Sequence, residues 1–147
     1  MIAGKEAWAV ATTIFSSGRP GRTDDPAQRT RRGREAEDAA LAHLQRAGLT
    51  LVARNYRVAR GPRSRGGEVD LIVRDRDGTL VFVEVRARAD TRHGGAAASV
   101  SATKQSSLVF AAQHYLARFR SLPPCRFDVV AIDGERVEWL KAAFDAT

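Results

Sequence analysis

The chain of 147 residues is 44% hydrophobic and 28% charged, the balance of one globular domain long enough to bury a core. Its net charge of +7 favours a polyanionic partner. The single Cys125 excludes an intramolecular disulfide and any multi-cysteine zinc site, which fits a reducing, cytoplasmic setting. All but three of the 24 basic residues (Lys5, Lys104 and Lys141) are arginine. The planar guanidinium suits bidentate phosphate contact and so points to nucleic acid, although GC-rich coding also enriches arginine.

Residues 1–30 differ from the rest. Ala7–Phe15 is an apolar run too short to span a membrane, and Glu6 with two threonines in the run argues against a signal peptide. Ser16 to Thr30 has no apolar period and reads as a disordered tail. The charges of this tail nearly cancel, so the basic excess belongs to 31–147.

Gly33 to Ala47 predicts the first helix, with Ala36, Ala40, Leu44 and Ala47 as its apolar stripe and Gly48 as its stop. Glu35 falls in the first turn, where a carboxylate suits the helix dipole; alternatively it points toward acids further along the chain. His43 has no partner at metal-ligand spacing. Leu49–Val58 predicts a strand with Leu49, Leu51 and Ala53 on one side. A flexible basic loop follows, carrying Arg57, Arg60, Arg63 and Arg65 among Gly61, Pro62, Ser64, Gly66 and Gly67. It reads either as a phosphate clamp or as a solvated charged loop.

Gly66 to Arg88 predicts a β-hairpin around Arg76-Asp77-Gly78, with Gly78 taking the left-handed position of a three-residue loop. Centring the loop on Asp77 pairs Ile72 with Phe82, Asp70 with Glu84 and Glu68 with Arg86. One face then carries Val69, Leu71, Val73, Val81, Val83 and Val85. The other holds Asp70 and Glu84 opposite each other, with Cβ atoms roughly 4.5–5.5 Å apart. Carboxylates so placed repel, unless a cation lies between them or one takes a proton. This conflict is the sharpest functional signal in the chain.

Asp90–Ser99, with His93, reads as a mobile Gly/Ala loop. Ser101 to about Phe119 predicts a helix with Ser101 as N-cap, Lys104 in its opening turn, and Leu108, Ala111, Ala112, Tyr115, Leu116 and Phe119 as its core stripe. Cys125–Ile132 predicts a buried strand and Val137–Leu140 an edge strand, with Ala142–Phe144 as a short terminal segment. The order helix, strand, hairpin, helix, hairpin gives an α/β fold, a mixed sheet with helices against it.

On these residues the chain resembles the PD-(D/E)XK superfamily: a leading helix with Glu35, then Gly67-Glu68-Val69-Asp70, then Glu84-Val85-Arg86. More narrowly it resembles the YraN-type family of bacterial proteins, described as predicted endonucleases. The resemblance rests on Arg54-Asn55, GGEVDLI at 66–72, VFVEVRAR at 81–88, GGAAASV at 94–100, Lys104, CRFDVV at 125–130 and VEWLKAAF at 137–144. It implies a restriction-endonuclease-like mixed β-sheet flanked by helices, a single domain over 31–147 behind the tail. It also implies Asp70 and Glu84 as a metal-binding pair, with Glu35 as a third carboxylate, and Mg²⁺ or Mn²⁺ as cofactor. Oxygen-only ligands suit those hard ions. The implied activity is hydrolysis of DNA phosphodiester bonds, with DNA favoured over RNA, branched or repair intermediates among the candidate substrates, and homodimerisation open.

One departure concerns the motif's lysine, which here is Arg86. Arginine can stabilise phosphoryl charge but cannot act as a base. Either that suffices, or Lys104 reaches in, or activity is impaired. The alternative functions are a nucleic-acid-binding protein with a nuclease-like fold and no catalysis, and a protein-interaction factor whose acidic pair is only a sheet face.

Overall fold

The structure is a computed structural model that describes residues 25–87 and 100–146. Residues 1–24 of the tail expected over 1–30 and the Asp90–Ser99 loop with His93 lie outside the described residues, while Pro26 to Thr30 of that expected tail is helical. Residues Arg31–Thr147 form one compact unit.

In chain order the elements are α1 (Pro26–Arg46), β1 (Thr50–Val58), β2 (Gly67–Arg74), β3 (Leu80–Ala87), α2 (Ala102–Leu116), β4 (Cys125–Asp133) and β5 (Arg136–Phe144). The five strands make one sheet in sequential order, with β1/β2, β2/β3 and β4/β5 antiparallel and β3/β4 parallel. Because β3 and β4 are parallel, the chain needs a crossover between them, and α2 lies in it. This is the mixed sheet flanked by helices read from the sequence, in the restriction-endonuclease-like form that the resemblance implies. No helix among the described residues is long and apolar enough to cross a membrane.

Each face of the sheet has its own apolar layer. Ala36, Ala40 and Leu44 of α1 pack with Leu71, Val73, Val81, Val83 and Val130 on one face. On the other, Leu108, Ala111, Ala112 and Tyr115 of α2 pack with Val69, Ile72, Phe82, Phe127 and Val129. Gly67 makes the second layer possible: a Cβ there would stand 2.5 Å from the Ser107 carbonyl and 2.9 Å from the Ala111 side chain. Only glycine lets α2 lie so close to β2.

Several expected boundaries move. Helix α1 starts at Pro26 rather than Gly33, with the Asp25 carboxylate accepting the Ala27 N–H at 3.2 Å. Proline at the first helical position after an aspartate cap is favourable, and this local chemistry outweighs a composition that reads as tail. Ala47 is exposed and Gly48, at φ 98, ends the helix. A register shift between Leu51 and Ala53 turns Ala53 to the α2 side while Leu51 stays on the α1 side. Strand β5 runs on through Ala142–Phe144 instead of stopping at Leu140.

Candidate active site

The hairpin loop closes as its residues dictate. Gly78 sits at φ 89, the Gly78 N–H reaches the Asp75 carbonyl at 3.0 Å and the Asp75 N–H reaches the Thr79 carbonyl at 2.9 Å. The expected pairs Ile72↔Phe82 and Val73↔Val81 form, but the β2–β3 ladder ends at Leu71↔Val83. Asp70 and Glu84 are therefore not a ladder pair. Instead, Asp70 Oδ2 accepts the Val85 backbone N–H at 2.8 Å, filling with a side chain the place where the next strand-to-strand bond would be.

The strands change face at this level. Val69 joins Ile72 and Phe82 in the α2 layer, whereas strict alternation would put it with Leu71. Strand β1 makes the same adjustment. Asn55, at φ 50, lies between the pairs Arg54↔Leu71 and Tyr56↔Val69, hence opposite Asp70. A left-handed conformation at a non-glycine residue is least costly for asparagine or aspartate. The Asn55 Nδ2 donates to Glu37 Oε2 at 3.3 Å, and Arg54 pairs with Glu37 at 3.4 Å and Asp38 at 2.9 Å. The Arg54-Asn55 dipeptide thus fastens α1 to β1 and shapes the strand across from Asp70.

Glu84 lies on β3 and is 3% exposed. Its Oε2 is buried without a hydrogen-bond partner. Two cations flank it beyond hydrogen-bond reach: Lys104 Nζ is 3.6 Å from Oε2 and Arg86 Nη1 is 3.8 Å from Oε1. Burial, and behind it the neighbouring Asp70 charge, push the Glu84 carboxyl up from 4.5 to about 8, while Lys104 and Arg86 pull it the other way. Burial beside a second acid thus disfavours two negative charges on the pair. The repulsion expected from sequence is present: the Asp70 charge is among the causes that raise the Glu84 carboxyl.

Lys104 reaches Glu84 because α2 begins where it does. Ser101 caps the helix, accepting the Lys104 N–H at 3.1 Å, and the close approach at Gly67 seats the helix on β2. Glu35, the third expected carboxylate, is exposed on α1. No group of three His, Cys, Asp or Glu side chains that could hold a metal ion occurs among the described residues, so Glu35 does not join Asp70 and Glu84 here. The α1 carboxylate held against the sheet is Glu37, two residues on, with its side chain 16% exposed. Its signal in the sequence was its place one residue past the buried Ala36, but only the strand kink at Asn55 gives it partners.

The basic loop separates into different roles. Arg57 is tied to Glu68 at 3.1 Å, Arg60 lies over the Phe110 ring at 4.2 Å, and Arg63 is exposed. Arg60, Arg65, Arg86 and Lys104 line one cavity of about 620 Å³, whose α2 wall carries the hydroxyls of Thr103, Ser106 and Ser107. A second depression of about 440 Å³ adjoins it, reaching Arg57 and Glu68. Loop, strand and helix cations that are far apart in sequence thus converge beside the acidic pair.

Fold and site define an α/β protein of restriction-endonuclease-like architecture, with a buried acidic pair next to a basic cleft. The chain belongs to the uncharacterised protein family UPF0102, the YraN family, whose sequence profile matches residues 36–132. It is 70% identical over 115 residues to a UPF0102 protein of Methylibium petroleiphilum, covering 78% of this chain and 94% of that protein. It is 64% identical over 114 residues to a UPF0102 protein of Paracidovorax citrulli, covering 78% and 82%. With a UPF0102 protein of Cupriavidus taiwanensis the identity is 56% over 124 residues, covering 84% and 89%.

Proposed function

We propose that the protein is a Mg²⁺- or Mn²⁺-dependent nuclease of the cytoplasm that hydrolyses phosphodiester bonds of DNA, branched or repair and recombination intermediates included. The observation that carries this reading is Glu84, a carboxylate buried against Asp70 with one oxygen unpartnered and two cations beside it. A buried acid costs stability unless something compensates it, and residues held at such a cost are concentrated at functional sites.

The donor set fits a hard divalent ion. Asp70 and Glu84 offer only carboxylate oxygens, and Mg²⁺ is commonly held by one or two carboxylates together with substrate phosphates rather than by a full protein cage. Bound there, such an ion would supply Lewis-acid polarisation of the phosphoryl group and lower the pKa of a water. Glu84 must give up its proton to serve as a ligand, so occupancy rises with pH toward about 8. The chain's own residues do the rest. Arg60 and Arg65 hold the backbone in the cleft, and the cations of Arg86 and Lys104 offset the charge that builds on the phosphoryl oxygens. Arg86 acts only as a charge, since a guanidinium does not deprotonate.

A second reading has its own support: Lys104 and Arg86 already offset Glu84, and arginine stands where the superfamily motif has lysine. On that reading the chain binds nucleic acid in the cleft without cutting it. A panel of duplex, branched and single-stranded DNA and RNA, incubated with Mg²⁺ or Mn²⁺ and with a chelator, tests both. Metal-dependent cleavage of DNA supports the nuclease. Binding without cleavage supports the second reading, and neither binding nor cleavage removes both.

A further inference from the structure

Outside the acidic pair, a row of aromatic rings with arginines laid against it runs from the cleft along α2, its inner rings packed on the core. Arg60, just past β1, lies over the half-buried Phe110 at 4.2 Å. Phe110 and His114, four residues apart, share one face of the helix. The His114 Nδ1 meets the Tyr56 hydroxyl of β1 at 2.6 Å. Just beyond the C-cap, the Arg118 guanidinium lies 3.9 Å over Tyr115 and 5.7 Å from Tyr56, fixed by its Nε bond to the Tyr115 carbonyl at 3.0 Å.

Two exposed guanidinium groups are therefore held on aromatic rings, one at each end of the strip. An arginine that needed only to meet a phosphate would gain little from being laid on a ring. A guanidinium restrained against a ring in this way is pre-organised to meet a partner that is itself planar. Arg60 and Phe110 also line the basic cavity, so a strand whose phosphates lie among Arg65, Arg86 and Lys104 passes onto this strip. In a duplex the bases are stacked on one another and cannot offer their faces. In single-stranded segments, flaps or gaps they can, and they stack readily on aromatic rings and guanidinium planes.

We infer that the strip from Arg60–Phe110 to Arg118–Tyr115 binds unpaired nucleobases, so that the substrate class is nucleic acid with a single-stranded segment beside the cleft. This rests on the nucleic-acid reading of the cleft. The arrangement gives preference for strand discontinuities without sequence specificity, because every base has a planar face.

The test uses the full chain, a blunt DNA duplex, and the same duplex with a single-stranded overhang carrying the fluorescent base 2-aminopurine. Binding is followed by anisotropy in EDTA, and stacking by the 2-aminopurine emission. The parent is expected to bind the overhang form roughly tenfold or more tighter than the blunt one and to shift the emission. Arg60→Lys with Arg118→Lys keeps both charges and removes both planes; the preference and the emission shift are expected to shrink together. Both side chains are exposed, and an unchanged melting curve confirms the fold of the variant. Equal affinity of the parent for the two forms would overturn the inference, as would a double variant that keeps the preference. Binding to the duplex alone leaves the cleft reading standing and removes the strip; binding to neither removes both.

Discussion

Asp128 and Glu84 are the two charged residues buried among the described residues, at 0% and 3% exposure, and their surroundings differ in kind. Asp128, on β4, receives Arg126 Nε at 3.0 and 3.2 Å, Trp139 Nε1 at 3.0 Å and the Ala142 N–H at 2.9 Å. Arg126 in turn reaches Asp75 of the hairpin turn at 3.0 Å, leaving its Nη2 as the one loose end. Asp128 holds the kinked end of β5 in place: Ala142, at φ 50, is stabilised by donating to it. Glu84 has an unpartnered oxygen, a second acid beside it and cations standing off at 3.6 and 3.8 Å. Asp128 is saturated with donors and Glu84 is not, the difference that the proposed ligand role of Glu84 would require.

The largest expected effect falls on chemistry and only on one side of this contrast. Asp70→Asn and Glu84→Gln should each lower metal-dependent cleavage by roughly a hundred- to a thousand-fold or more, on the scale of losing one pre-organised electrostatic group. A discontinuous assay with Mn²⁺ and a chelator control measures it. Cleavage by Glu84→Gln at the parent rate would place the active site elsewhere.

Next comes stability, where the order reverses. Asp128→Ala strands Arg126 and Trp139 and should cost about 3–5 kcal/mol, the range for breaking one side of a buried ion pair. Glu84→Gln relieves the acid–acid conflict and should leave the metal-free protein as stable as the parent or slightly more so. Urea titration of the three proteins at pH 8 decides it. A large drop for Glu84→Gln would mean that its cations make it structural.

Next is a pH dependence centred on Glu84 beside its neighbouring acid. Its folded pKa, about 8, lies above the ordinary 4.5, so the folded chain binds more protons than the unfolded one between those values. The stability it contributes is complete below about 4.5 and is lost as pH rises through about 8. In EDTA the parent's melting temperature should fall across that window, and the fall should be shallower in Glu84→Gln. Added Mn²⁺ at pH 8 should raise the melting temperature of the parent but not of Asp70→Asn, since the folded parent alone holds the ion.

The smallest expected effect concerns the loop. Removing an arginine that neutralises one phosphate should lower the slope of log affinity against log salt by about 0.9 on duplex DNA. Arg65→Gln, in the cavity lining, should show this decrease, and Arg57→Gln should show less because Arg57 is engaged by Glu68. Slopes unchanged from the parent in both variants would return the loop to a merely solvated charged segment.

The α2 core stripe, the Gly78 turn, the Ser101 cap and the register Ile72↔Phe82 were legible in the sequence, because each rests on residues a few positions apart or on strict alternation. So was the conflict between Asp70 and Glu84, which needed only a hairpin and a count. What the sequence did not determine is how that conflict is arranged. Alternation fails at Asp70 because Asn55, on another strand, takes a left-handed conformation opposite it, and no periodicity within β2 carries that information. The same holds for the cations. Lys104 stands beside Glu84 because α2 crosses over the sheet and Gly67 lets it settle there, and Glu37 rather than Glu35 is drawn inward because its partners come from β1. Local chemistry chose the residue types, and the packing of separate elements decided which of them meet.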